Sequence, residues 1–158
     1  MKKRPWLVYL FWIGTALLVG LLSALLTCNA QMEFSQTVKQ LPATPPAVVF
    51  PIAWTVLYTL MGIGAARVYL SEPSRERSLG LLLYGAQLAV NFLWSSVFFN
   101  LQAFGFALVL LLALWLLVLA MTLTFWETDK AAALLQIPYL LWLILAAYLA
   151  FGVWILNQ

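Results

Sequence analysis

Tyr84, Gln87, Asn91, Ser95 and Phe98 recur at intervals of three and four, with Trp94 beside Ser95. On a helix they share one face. Trp54, Tyr58, Met61 and Gly62 repeat the pattern upstream, with Thr55 adjacent. Downstream, Pro138, Trp142, Ala146 and Leu149 repeat it again, with Tyr139 alongside. Amides, phenols and indoles in such stripes offer hydrogen bonding and ring stacking, and little else. Interhelical hydrogen bonding alone accounts for these faces, and so does a pocket that the same residues line.

Other chemistries lack their residues. All five acids (Glu33, Glu72, Glu76, Glu127 and Asp129) stand outside the apolar runs, so no carboxylate pair can do acid–base work there. There is no His and only one Cys, which removes His-based metal sites, the commonest haem ligand and any disulfide framework. Ion-driven transport normally uses an ionisable group within a span, and the runs hold none in their interiors. Arg67 lies near an end and can snorkel.

The elements that must carry these stripes are membrane helices. AVILMFWYC residues make up 65% of the 158, and charged residues only 8%. A soluble domain would be nearer ~45–50% and ~25%. Apolar runs long enough to span occupy about 6–27, 46–70, 79–99, 106–126 and 131–156. The expected fold is therefore all-α, a single integral membrane domain of five transmembrane helices over 1–158. The first run follows Lys2, Lys3 and Arg4 like a signal peptide, but exceeds a signal core of ~7–15 residues. It is kept as the first helix. No internal repeat is visible, so an inverted-repeat transporter is unsupported.

Basic residues set the orientation. Lys2, Lys3, Arg4, Arg67, Arg75, Arg77 and Lys130 fall on one side of a five-span chain, and only Lys39 on the other. The N-terminus is expected in the cytoplasm and the 29–45 link outside. That link is the longest and mixed in character, and long links are usually functional or disordered. It is read as a lid.

Trp6 and Trp126 sit at span ends, as interfacial anchors do. Trp54 and Trp94 lie roughly 5–8 residues inside the outer boundary, about 8–12 Å at 1.5 Å per residue, and Trp142 is near the midplane. An aromatic-walled cavity under the lid and ordinary core packing both fit these depths. Pro46, Pro51 and Pro138 free carbonyls that neighbours or a cavity must satisfy. Gly62 with Ala66, and Gly85 with Ala89, permit close helix approach within a protomer or across a dimer.

Together these residues resemble a known family. Pro45-Pro46, Phe50-Pro51, Ala53-Trp54-Thr55, Leu57-Tyr58 and Met61-Gly62 are similar to the second-helix signature of the TspO/translocator protein family, also called the peripheral benzodiazepine receptor family. Tyr84, Gln87-Leu88, Asn91, Trp94-Ser95 and Phe98-Phe99 resemble its third-helix signature, and Pro138-Tyr139-Leu140 with Trp142 its fifth. The resemblance covers about residues 40 to 154. It implies a five-helix bundle, commonly dimeric, whose pocket under the first link binds porphyrins such as protoporphyrin IX and haem. Carried over, the ligand-binding residues are Trp54, Tyr58, Gln87, Asn91, Trp94, Phe98, Tyr139, Trp142 and Ala146. It also implies light-dependent porphyrin breakdown in some bacterial members, with Trp54 and Trp142 at the implicated positions.

Two departures matter. Ala43 and Phe34-Ser35 stand where the family usually has lid aromatics, so its lid contacts are not carried over. The stretch Ala150-Phe151-Gly152-Val153-Trp154-Ile155 lacks the basic residue of the family's sterol segment, so cholesterol binding is not expected. The expected function is tetrapyrrole binding in an aromatic pocket, serving tetrapyrrole homeostasis or stress sensing. Photochemical degradation and passive translocation are the alternatives. Expected partners are the porphyrin, the bilayer of a bacterial cell membrane and a second copy of the chain. No required cofactor, metal or nucleic acid is expected.

Overall fold

The computed structural model describes residues 4–158; Lys2 and Lys3 of the orientation argument lie outside them. The described residues are helical and irregular, without strands. The helices are α1 (Pro5–Thr37), α2 (Val49–Leu70), α3 (Arg75–Ser95), α4 (Phe104–Thr128), α5 (Lys130–Leu134) and α6 (Ile137–Leu156). A π-helical turn, Ser96–Asn100, continues α3. With the π-turn joined to α3 and α5 to α6, five helical segments are long and apolar enough to cross a membrane.

The largest departure from expectation is α1. It does not stop near residue 27 but runs 33 residues to Thr37, so most of the expected lid is helix. At 1.5 Å per residue it is about 50 Å long, against ~30 Å of hydrocarbon. Loss of apolar character at residue 28 ends the oily segment, not the helix. Residues 28–37 contain neither Gly nor Pro, and Gln31 Nε2 donates to Thr27 Oγ1 at 2.7 Å. Phe34 is buried against Phe98, Phe99 and Phe104, which anchors the extension. The irregular link is only 38–48, where Pro42, Pro45 and Pro46 withhold amide donors.

Local chemistry explains the other boundaries. Ser74 caps α3 by accepting from the Arg77 amide at 3.0 Å, with Glu76 in the first turn, where an acid suits the helix dipole. The fifth span breaks at Leu135–Gln136, because Pro138 has no N–H to return to the preceding turn.

α1 packs on α2, α3 on α4, α4 on α6, and α2 on α5. Glycine sets two of these approaches. A Cβ at Gly62 would strike the main chain of Ile13, and one at Gly64 would strike the Gln136 amide. The Gly62–Ala66 pair therefore works inside the protomer. Gly85 and Ala89 are exposed, with nothing within 4 Å of a Cβ built on Gly85. Leu18, Leu25, Val109, Leu116 and Ile144 are among the large apolar side chains facing outward, as a bilayer solvent requires.

At the far end from the 38–48 link, Arg67 does more than snorkel. Its Nη2 lies 2.9 Å from Asp129 Oδ2, and its Nε donates to Oδ1 at 3.3 Å. Asp129 also caps α5 by accepting from the Ala132 amide at 2.9 Å. Burial pushes the Asp129 carboxyl up, but the Ala132 N–H and the Arg67 guanidinium outweigh it, leaving it below its ordinary 3.8. A lowered folded pKa gives stability that is full above the unfolded value and is lost as pH falls through the folded one. The expected melting temperature in detergent is thus insensitive to this group from pH 8 to about 5, and declines below about pH 4. Asp129→Asn should lower the neutral-pH plateau and flatten that acid decline; an unchanged acid slope would remove the pair from the account.

Candidate ligand chamber

Beneath the 38–48 link lies a cavity of about 470 Å³. α1 contributes Gly20, Ser23, Ala24, Gln31, Phe34 and Ser35 to its wall. α2 contributes Phe50, Pro51, Trp54 and Tyr58. Asn91, Trp94, Ser95, Phe98 and Phe99 come from α3 and its π-turn, and Trp142, Ala146, Leu149, Ala150 and Val153 from α6. Gln40, Thr44, Pro45 and Ala47 roof it.

Its aromatic rings form two clusters. In the α2–α6 cluster, Trp54 meets Trp142 edge to face at 6.3 Å and leans on Tyr58 at 5.5 Å, while Phe50 meets Trp142 at 5.8 Å. In the other, Trp94 stacks on Phe98 at 5.1 Å and 23°, and Phe99 closes edgewise on Phe98 at 5.0 Å. The π-turn makes this second cluster. Leu101 N–H reaches back five residues to the Ser96 carbonyl at 3.1 Å, and this wider turn sets Phe99 beside Phe98 at the chamber.

Of the nine residues expected to bind ligand, Trp54, Tyr58, Asn91, Trp94, Phe98, Trp142 and Ala146 line the chamber. Gln87 and Tyr139 do not; they lie one layer beneath. Tyr139 Oη–H donates to Gln87 Oε1 at 2.8 Å and accepts from Asn91 Nδ2 at 2.9 Å. Tyr58 Oη–H donates to Asn91 Oδ1 at 3.4 Å, and Gln87 Nε2–H points to Met61 Sδ at 3.6 Å. An unpaired polar group here would be costly, and the chain of bonds fixes the Asn91 carboxamide. One Asn91 donor and one lone pair remain after these bonds. Gln87 and Tyr139 thus hold the Asn91 carboxamide from beneath the chamber wall.

Of the α1 wall, only Phe34-Ser35 stand out in the sequence, as departures at the family's lid positions, and both line the chamber. The signal of the wall is present: Ser23, Thr27 and Gln31 at spacing four, then Phe34, mark one polar-aromatic face once the helix is allowed to continue. Gln136, also unremarked, is wholly buried against Gly64, with its Nε2 donating to the Ala132 carbonyl at 3.1 Å.

No Asp, Glu, Lys or Arg is among the residues lining the chamber, and among the described residues no group of three or more His, Cys, Asp or Glu stands together. The Trp94 indole N–H is buried without an acceptor among the described residues. The chamber thus offers apolar area, ring faces, a few neutral donors and acceptors, and no charge.

A five-span bundle enclosing such a chamber defines a class: multi-pass integral membrane proteins with an internal aromatic pocket. The comparisons with known proteins place it more closely. The sequence pattern of the TspO/MBR family matches residues 11–155, and the chain belongs to that family. It is 42% identical to Protein CrtK of Rhodobacter capsulatus over 72% of this chain and 71% of that one. It is 34% identical to the tryptophan-rich protein TspO of Chlorobaculum tepidum over 92% of each. With the translocator protein of Bos taurus it shares 31% identity over 98% of this chain and 92% of the other.

Proposed function

We propose that the chamber binds planar, largely apolar tetrapyrroles such as protoporphyrin IX and haem, as a receptor in tetrapyrrole homeostasis or stress sensing. The observation that carries this reading is the two aromatic clusters that line an uncharged space of about 470 Å³. That volume falls in the range of small-molecule sites, ~300–1,000 Å³. A flat ring system gains apolar burial and stacking there, and Asn91 offers an orienting amide. Names among the relatives, tryptophan-rich sensory protein and translocator protein, accord with a sensing or carrying role.

The test is quenching of tryptophan fluorescence by protoporphyrin IX in the purified protein. Trp54→Phe and Trp142→Phe should each weaken binding by about tenfold, roughly 1.4 kcal/mol of lost stacking. With no His in the chain, haem and metal-free porphyrin should bind alike. Much tighter haem binding with an axial-ligand spectrum contradicts this reading.

The same proposal places the N-terminus in the cytoplasm, the 38–48 link outside a bacterial cell membrane, and the protein as a homodimer. The basic residues clustered at the Arg67 end support the orientation. A second reading, light- and oxygen-dependent porphyrin breakdown, is favoured by the edge contact of Trp54 and Trp142, two oxidisable rings in the chamber wall. Loss of turnover in light with Trp142→Phe is its signature. Passage through the protein ranks last, because buried Met61, Tyr84, Gln87 and Tyr139 fill the bundle beneath the chamber.

A further inference from the structure

The exposure of the chamber's lining residues is uneven. Its lining residues on α3, the π-turn and α6 are buried or half-buried. Those that are exposed fall in two places only: Ala24, Gln31 and Ser35 on α1, and Ala47 at the end of the link with Pro51 in the first turn of α2. The helix contacts show why. α1 and α2 are locked by Ile13 on Gly62 and closed by Tyr58 against Gly20. Beyond that crossing, α1 turns to other partners: Asn100 Nδ2 donates to the Leu26 carbonyl at 3.3 Å, and Phe34 joins the Phe98 cluster. Past Tyr58 the exposed lining residues of α1 and of positions 47–51 mark where the chamber wall meets the outside.

The roof, by contrast, is pinned. Asn157, just past α6, grips the main chain of Lys39 in both directions. It accepts from the Lys39 amide at 3.0 Å and donates to the Lys39 carbonyl at 2.9 Å. Leu41 lies so close over Gly152 that a Cβ there would collide with it. Thr44 folds the link back through its amide and hydroxyl, both donating to the Leu41 carbonyl. An approach from water over α6 meets this strap.

This exposed margin is itself amphipathic. Its lower lip, Ala24 and Pro51, lies within the apolar runs of the sequence; its upper lip, Gln31 and Ser35, stands on the part of α1 beyond them. We infer that guests enter laterally from the bilayer, by a side door between the outer halves of α1 and α2. The class this door selects is a membrane-dissolved amphiphile with a flat apolar body and a polar or acidic edge. The body slides in below while the edge stays at headgroup level, which the absence of any cation in the lining requires of a carboxylate. The inference rests on the proposed tetrapyrrole binding and specifies its route and its guest.

The test uses full-length protein in phosphatidylcholine vesicles and two probes: free protoporphyrin IX, and a porphyrin built into one acyl chain of phosphatidylcholine, which cannot leave the bilayer. Both should quench the protein's tryptophans, with free porphyrin competing the tethered one away. Ala24→Trp, placed in the lip, should slow association of free porphyrin by about tenfold and abolish binding of the tethered one. Asn157→Ala, which unpins the roof, should leave association within about twofold. If free porphyrin binds the wild type while the tethered form does not, the guest comes over the roof and the side door is refuted, with tetrapyrrole binding intact. Faster entry in Asn157→Ala refutes it equally. If neither probe binds the wild type, the tetrapyrrole reading fails and the inference falls with it.

Discussion

Ala146→Phe should abolish porphyrin binding while leaving the protein folded. Ala146 lines the chamber on α6, one helical turn beyond Trp142. In a close-packed core an added ring forces strain of about 1–3 kcal/mol. Here the ring has a void of about 470 Å³ to enter, so the strain is not incurred. The guest and the new phenyl then compete for the one space that the aromatic clusters line. The expected loss is at least about a hundredfold in affinity, roughly 2.7 kcal/mol, with a melting temperature in detergent equal to or above wild type. Fluorescence titration and thermal melting of the same preparation check both halves. A variant that melts well below wild type means that the space is not open; one that binds normally means that the guest sits elsewhere.

The sequence made some of this legible and hid the rest, for physical reasons. Five apolar runs announce five spans because hydrocarbon tolerates little else. The stripes through Trp54, Asn91 and Trp142 mark inward faces because an amide cannot face lipid without a partner. Depth along a stripe is another matter. Gln87 and Asn91 are one turn apart on α3, yet only Asn91 reaches the chamber, since Tyr139 of α6 crosses beneath it and takes Gln87 as partner. Which turn meets the crossing helix is a tertiary fact. Hydropathy also misplaced the end of α1, because it measures compatibility with oil while helix persistence depends on backbone hydrogen bonds and on Phe34 finding three rings far along the chain. The pairing of Arg67 with Asp129, 62 residues away, was invisible for the same reason.

The two small-residue pairs bring out the same limit and lead to the second large effect. Gly62–Ala66 and Gly85–Ala89 have identical spacing and differ wholly in surroundings. A Cβ at Gly62 meets the main chain of Ile13, which cannot rotate aside as a side-chain tip can. Gly62→Val must push α1 off α2, opening the seam below the chamber and unseating Trp12 from Tyr69 and Tyr84. The expected result is loss of several kcal/mol, comparable to the severest single substitutions at ~4–5 kcal/mol, seen as a collapse in the yield of monodisperse protein. A Cβ at Gly85 meets nothing within 4 Å, and Gly85→Val replaces the poorest ordinary helix former at an exposed position. It should fold as well as wild type or slightly better, altering at most association with a second copy. Size-exclusion profiles and thermal melts of the two variants decide the matter. Equal tolerance of both would mean that α1 and α2 do not meet at Ile13, and the helix crossing that floors the side door would have to be redrawn.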